Sequence, residues 1–230
     1  MPSVLVTGAN RGIGLEWCRQ YAEADWRVFA TCRRPEAADE LHELARRHPR
    51  LSVHRLDVTQ AESLVALRAE LQGEAIDVLV NNAGVYLEKY IRSDELRYDD
   101  WMQTLKVNTL GPMRVTEALL AAVTASRRRL IVNMSSHMGS IAAIEAPGDY
   151  YYRSSKAALN AAMRGLSLAL KERGIGVLLL HPGWVKTRMG GPDAPLTPAE
   201  SVAGMRRLVE AFSMDRSGRF FRYNDTEIPW

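Results

Sequence analysis

The chain has few cysteines. Only Cys18 and Cys32 occur among its 230 residues. They do not form a CxxC pair and have no nearby pair of histidines, so the sequence offers neither a disulfide framework nor a zinc-binding pattern. We therefore predict two reduced packing thiols and no metal site.

Long apolar runs and a strong excess of one charge are also missing. No run reaches the roughly 20 apolar residues that cross a bilayer, and Met1 is followed too soon by the polar stretch TGANRG for a signal peptide. The 30 basic and 27 acidic residues leave a net charge of +3, which is too small to indicate a nucleic-acid or membrane partner. We expect a cytoplasmic protein that acts on a small molecule.

Hydrophobic residues make up 47% of the sequence and lie in short runs separated by longer amphipathic segments. Short runs rich in Val, Leu and Ile are typical of strands buried on both faces. They predict six strands, at Val4–Val6, Arg27–Thr31, Leu51–Leu56, Ile76–Val80, Leu130–Met134 and Gly176–Leu180. A seventh strand, at the sheet edge, is expected at Gly218–Tyr223.

Apolar residues at three- and four-residue spacing predict helices between these strands. Their ranges are Leu15–Ala24, Glu36–Arg47, Ala61–Leu71, Trp101–Ala122 and Ser155–Arg173. Because parallel strands need right-handed helical crossovers, the alternation indicates an α/β fold, a doubly wound parallel sheet in a three-layer α/β/α arrangement. Residues 1–230 are predicted to form a single domain. The Gly/Pro-rich segment Gly190–Pro198 is a candidate lid loop.

The first strand runs directly into a glycine-rich turn. The glycines of Thr7–Gly14 permit a tight turn and let a pyrophosphate approach the N–H groups of the following helix. This arrangement predicts a dinucleotide site whose contacts in the turn are Gly8, Asn10, Arg11, Gly12, Ile13 and Gly14.

The residues that follow the second strand predict which dinucleotide binds. The acidic residue that accepts the ribose 2′-hydroxyl in NAD-selective sites is absent, and Arg33 stands there instead. Together with Arg11, this guanidinium can hold a 2′-phosphate by charge-assisted hydrogen bonds. We therefore predict NADP(H) as the cofactor.

Tyr152 and Lys156 lie four residues apart at the start of a predicted helix, so both side chains project from one face. Of the three tyrosines at 150–152, only Tyr152 has a lysine four residues further on. A phenol with a pKa of about 10 is a poor base at neutral pH, but a nearby ammonium group favours the phenolate. We predict that this pair supplies acid and base catalysis.

These features together resemble the short-chain dehydrogenase/reductase family. The motif TGxxxGIG, the NNAG at 81–84, the Tyr152 and Lys156 pair and the PGxVxT pattern at 182–187 occur in the family's order. The resemblance implies that the cofactor also contacts the catalytic helix and residues after the third, fourth and sixth strands. These contacts are Asp57, Val58, Asn82, Ala83, Gly84, Tyr152, Lys156, Pro182, Gly183, Val185 and Thr187.

The resemblance also implies a catalytic set of Asn108, Ser136, Tyr152 and Lys156. Asn108 would kink its helix, hold a water and relay protons towards the lysine, and Ser136 would hydrogen-bond the substrate oxygen. Ser136 lies 16 residues before Tyr152, further than is common in the family, so Ser140 stays open as an alternative. An extended loop at His137–Asp149 would account for the difference.

The short length and the tail from Gly218 to Trp230 resemble the compact Sniffer-like and C-factor-like carbonyl reductases. This resemblance implies NADP(H)-dependent reduction of a ketone or aldehyde, or the reverse oxidation. The alternative is a C-factor-type signalling or redox-sensing protein with little turnover. The resemblance also implies a homo-oligomer, with a dimer favoured over a tetramer. Apolar residues in the loops Val85–Asp99, His137–Asp149 and Gly190–Pro198 favour an aliphatic or aromatic carbonyl substrate.

Overall fold

A computed structural model describes residues 1–88 and 92–230. Within these residues, seven strands form one parallel sheet in the order β3-β2-β1-β4-β5-β6-β7. The strands are β1 (Ser3–Thr7), β2 (Arg27–Cys32), β3 (Leu51–Arg55), β4 (Val78–Asn81), β5 (Leu130–Met134), β6 (Gly176–His181) and β7 (Phe220–Arg222). The predicted doubly wound sheet, including the seventh edge strand, is therefore confirmed.

Helices cover both faces of the sheet. They are α1 (Gly12–Glu23), α2 (Asp39–Arg47), α3 (Ala61–Glu70), α4 (Tyr98–Leu105), α5 (Gly111–Thr124), α6 (Tyr150–Leu170) and α7 (Pro198–Glu210). No helix in the described part of the chain is long and apolar enough to cross a membrane.

The alternation of side chains along each strand produces two apolar cores. On one face, Val4 and Val6 pack with residues of α1, α2 and α7, such as Trp17. On the other face, Leu5 packs with residues of α3, α5 and α6, such as Leu159. The sheet is thus the middle of three layers, and its carboxyl edge is left for the loops that follow the strands.

The prediction of one continuous α-helix at Trp101–Ala122 is wrong. The chain instead forms α4, one π-helical turn at Lys106–Leu110, and α5. Pro112 gives a physical reason, because its nitrogen has no hydrogen and its ring would clash with the carbonyl of Asn108 in an unbroken α-helix. The turn therefore falls on a predicted catalytic residue, as π-turns often do at functional sites.

Two other predicted helices begin earlier than expected, and one helix was not predicted. Helix α1 begins at Gly12, inside the glycine turn, and α6 begins at Tyr150, ahead of the predicted start at Ser155. Helix α7 was not predicted, although Thr197 and Glu200 form a reciprocal capping box with a proline at the first helical position. The predicted lid loop therefore ends where this helix starts.

Candidate active site

The site is a cavity of about 820 Å³ at the carboxyl edge of the sheet. It lies where the strand order reverses between β1 and β4, the position at which open α/β sheets bind their ligands. Its wall contains most of the residues predicted to contact a cofactor, namely Gly8, Asn10, Arg11, Gly12, Ile13, Gly14, Arg33, Asp57, Val58, Asn82, Ala83, Gly84, Tyr152, Lys156, Pro182 and Thr187. The two remaining predicted contacts are not in the wall. Val185 is buried, and Gly183 packs against Leu196, whose Cδ1 would lie 2.4 Å from a Cβ at that position.

The glycine turn has no room for larger side chains. A Cβ on Gly14 would lie 2.2 Å from the carbonyl oxygen of Gly8, and one on Gly8 would lie 2.9 Å from the Cα of Ala83. Gly8 and Gly12 also have positive φ angles of 67° and 55°, a conformation that glycine adopts without steric cost. Gly12, Ile13 and Gly14, which begin α1, line the cavity, and the N–H groups at a helix N-terminus suit a pyrophosphate.

The end of β4 is fastened to this turn by polar side chains. The Asn82 side chain donates to the carbonyls of Thr7 and Gly8 at 2.9 and 3.2 Å, and the backbone N–H groups of Asn82 and Ala83 donate to the Thr7 hydroxyl at 2.9 and 3.0 Å. Asn81 donates sideways to Asn133 at 2.9 Å. The NNAG segment therefore supports the turn from the neighbouring strand.

Three guanidinium groups share one end of the cavity. Arg11 and Arg33 were predicted there, and Arg188, from the loop after β6, was not. Burial lowers the pKa of Arg11, and the like charges of Arg188 and then Arg33 lower it further. Among the described residues none of the three forms an ion pair with a carboxylate. Such a cluster of like charges fits an anionic ligand, as the phosphates of NADP(H) would supply.

Arg188 could not be predicted from the motifs, because it lies just after the PGxVxT pattern. It is also far along the chain from Arg11 and Arg33. Its neighbour Thr187 explains the contact, since a Cβ on Gly12 would lie 3.3 Å from the Thr187 methyl carbon. The loop after β6 therefore packs against the glycine turn. This packing brings the third guanidinium group to the site.

At the other end of the cavity, Tyr152 meets Ser136 and Lys156. The Ser136 side chain lies close enough to the Tyr152 hydroxyl to lower its pKa. The Lys156 Nζ lies 5.6 Å from the centre of the Tyr152 ring and donates to the carbonyl oxygen of Met134 at 2.7 Å. The three side chains thus converge from β5 and the first turns of α6.

Burial dominates the electrostatics of this group. It raises the pKa of Tyr152 to about 12, against the lowering effect of the Ser136 hydrogen bond, and it lowers the pKa of Lys156 to about 8. We expected the lysine ammonium to lower the pKa of Tyr152. In this structure the larger effect has the opposite sign, because removal from water disfavours the charged form of each group.

The competing serine is placed differently. Ser140 is fully buried, and its hydroxyl has no hydrogen-bond partner among the described residues. Ser136 caps the short helical turn His137–Gly139 by accepting from the N–H of Met138 at 3.2 Å. Of the two serines, Ser136 is therefore the one whose side chain acts on the Tyr152 hydroxyl.

Asn108 lies fully buried in the π-turn. Its side chain accepts from the N–H of Val85 at 2.8 Å and donates to the carbonyl of Val85 at 2.9 Å and to Ser155 at 3.0 Å. A Cβ on Gly84 would lie 3.4 Å from the Asn108 Oδ1 and 3.8 Å from the Lys156 Nζ. Asn108 therefore ties the loop after β4 to α6 beside the lysine.

Comparison with known proteins agrees with this geometry. A family model described as short chain dehydrogenase matches residues 2–195, and the chain belongs to this family. It is thus an NADP-dependent oxidoreductase that acts on CH–OH or C=O groups. Of the solved structures, NADPH-bound carbonyl reductase from chicken fatty liver has a TM-score of 0.94 and 36% identity, covering 100% of this chain and 99% of that chain.

Within the family, the chain is similar to the Sniffer-like carbonyl reductases. The carbonyl reductase Sniffer of D. melanogaster has a TM-score of 0.93 and 34% identity, with 100% of both chains covered. The C-signal of Myxococcus xanthus is 46% identical over 155 residues, which are 67% of this chain and 93% of that protein.

Proposed function

We propose that this protein reduces a ketone or aldehyde to an alcohol, or catalyses the reverse oxidation, with Tyr152 as the general acid and base. The observation that carries the proposal is the placement of Tyr152, which lines the cavity beside Lys156 and whose hydroxyl is influenced by the Ser136 side chain. NADPH, when bound, supplies the hydride to the carbonyl carbon. Tyr152 donates the proton that the carbonyl oxygen requires, and Ser136 orients that oxygen by a hydrogen bond.

The remaining residues hold the reacting groups in place. We assign the glycine turn to the pyrophosphate, and Arg11 and Arg33 to the 2′-phosphate. Lys156 would bind the nicotinamide ribose and, by its charge, favour the phenolate in the oxidation direction. Asn108 would hold the loop and helix on either side of the lysine and relay protons towards it.

The proposal is tested by calorimetric titration with NADPH and NADH, followed by a panel of ketones, aldehydes and quinones observed at the nicotinamide absorbance. We expect tight NADPH binding and turnover of apolar carbonyls. Apolar side chains support this substrate class, because Met189 lines the cavity. Ile141, Ile144 and Trp184 are also exposed in or next to the predicted substrate loops. Residues 89–91 of the other predicted substrate loop lie outside the described residues.

The signalling alternative rests on the likeness to the C-signal. It is not favoured, because Tyr152 and Lys156 line the cavity and the two other proposed catalytic residues, Ser136 and Asn108, are present beside them. Tight NADPH binding without turnover across the whole panel would revive it.

We also propose a homodimer. Its support is a set of exposed apolar side chains on α4, the π-turn and α6, namely Tyr98, Met102, Leu110 and Leu168. Light scattering in solution would show twice the mass of the chain, and a monomer would contradict the proposal.

Ser136→Ala is expected to lower kcat/KM for carbonyl reduction by about a hundredfold, because it removes a hydrogen bond to the reacting oxygen. The substitution also removes the bond that lowers the pKa of Tyr152, so this pKa rises. Since oxidation requires the phenolate, the pH of half-maximal oxidation should move upward. Initial rates measured across pH in both directions test the two effects.

Ser140→Ala is the matched control for this experiment. Its hydroxyl makes no hydrogen bond in the described part of the chain, so both kcat/KM and the pH profile should stay as in the unsubstituted protein. A loss confined to Ser140→Ala would transfer the role to that serine.

A further inference from the structure

The first turn of α6, which carries Tyr152, is capped by a residue far away in the sequence. Asp149, which precedes the helix, has a φ of 55° and makes no capping bond through its side chain. The Glu88 carboxylate takes this place. Its Oε2 accepts from the N–H of Tyr151 at 2.7 Å, and its Oε1 accepts from the N–H of Tyr152. Two N–H groups that the helix itself cannot satisfy are thus bound by one side chain.

The buried position of Glu88 disfavours the charged form of its carboxyl group. Its side chain is buried, with 2% of the residue exposed. Burial raises the pKa of Glu88, the two N–H donors lower it, and the charges of Asp149 and Arg153 have opposite and smaller effects. Among the described residues it forms no salt bridge. A buried acid bound only to backbone N–H groups serves to fix the position of that backbone.

The loop that carries Glu88 touches the reacting groups at two further points. The backbone of Val85 exchanges two hydrogen bonds with the Asn108 side chain. The ring of Tyr86 lies 4.8 Å from the ring of Tyr152, and its hydroxyl donates to Asp149. Residues 85–88 therefore form a clamp between the π-turn and the start of α6, and Glu88 is its charged end.

We propose that Glu88 is a positioning residue that holds Tyr152 against Ser136. The proposal rests on the proposed role of Tyr152 as general acid and base. The carboxylate sets the first turn of α6, and this turn sets where the phenol lies relative to the serine hydroxyl and the lysine. Its loss weakens the Tyr152 to Ser136 hydrogen bond while the cofactor cradle at α1 stays intact.

The test uses Glu88→Ala and Glu88→Gln, with Glu95→Gln as the control because Glu95 is an exposed glutamate that precedes α4. Misplacement of a reacting group by about 1 Å can cost a hundredfold in rate, so we expect kcat to fall at least tenfold in Glu88→Ala and less in Glu88→Gln. The Kd for NADPH, measured by calorimetry, should not change. Glu95→Gln should match the unsubstituted protein.

The pH profile separates positioning from a purely structural cap. If the Ser136 hydrogen bond weakens, the pKa of Tyr152 rises, and the pH of half-maximal oxidation moves upward in Glu88→Gln. In the Ser136→Ala background that bond is already gone, so adding Glu88→Gln should give no further shift. A lower Tm with kcat and the pH profile unchanged, or an equal shift in both backgrounds, would overturn the proposal.

Two results keep this inference separate from the proposed function. If Glu88→Ala does not fold, Glu88→Gln, which keeps the volume and one acceptor oxygen, supplies the comparison. If Tyr152→Phe retains full turnover, the acid and base assignment fails whatever the Glu88 variants do. If Tyr152→Phe is inactive and the Glu88 variants are fully active, only the positioning role is wrong.

Discussion

Tyr152→Phe is expected to lower kcat for carbonyl reduction by about a hundred- to ten-thousandfold, the range over which a positioned proton donor contributes to catalysis. The substitution removes one hydroxyl and keeps the ring that packs against Tyr86. Because Tyr152 lies at the opposite end of the cavity from the three arginines, the Kd for NADPH should change little. Steady-state rates and calorimetry on the same preparation measure the two quantities.

Tyr150→Phe is the natural control, since it removes a phenol from the same turn of α6 and lies outside the cavity wall. It should leave kcat and the Kd for NADPH unchanged. Normal turnover in Tyr152→Phe would contradict the mechanism. A loss of NADPH affinity as large as the loss of kcat would indicate that the substitution disturbs the whole site.

The second large effect is expected from Arg33→Ala, which should raise the Kd for NADPH by about ten- to a hundredfold. One charge-assisted hydrogen-bonded pair contributes about 1.5–3 kcal/mol, and about 1.4 kcal/mol corresponds to a factor of ten. NADH lacks the 2′-phosphate, so its Kd should hardly change. Arg34→Ala is the control, because Arg34 lies outside the cavity wall.

Arg188 belongs in the same experiment. Its charge acts on Arg11 more strongly than the charge of Arg33 does, and we assign it to the 2′-phosphate as a third cation. Arg188→Gln should therefore weaken NADPH binding more than NADH binding. Equal losses for the two cofactors would place the guanidinium at the pyrophosphate, and an unchanged Kd would remove Arg188 from the site. For Arg33→Ala, equal losses would contradict its role in cofactor selection.

The local features of the site could be predicted from the sequence. The glycines of the turn lie within seven residues of one another, and Tyr152 and Lys156 are one helical turn apart. At such short spacings, the helix repeat and the backbone alone determine where the side chains lie relative to one another. The strands were predicted for a similar reason, since burial on both faces demands short apolar runs.

Contacts between distant segments could not be predicted in this way. Glu88 reaches residues 63 and 64 positions further on, and Arg188 meets Arg11 across most of the chain. Helix α7 and the π-turn were missed although both had local signals, the capping box at Thr197 and the proline at position 112. At Pro112, the helical spacing of apolar residues continues on both sides and conceals the break.

The sequence by itself determined the order of strands and helices, the cofactor class and the tyrosine that we propose as the acid and base, because each depends on residues that are neighbours along the chain. The tertiary structure decided which serine meets that tyrosine, which third arginine joins the cofactor end and which carboxylate caps the catalytic helix. These depend on how the loops at the carboxyl edge of the sheet fold over one another. Their conformations follow from packing and burial in three dimensions, which the spacing of residues along the chain does not encode.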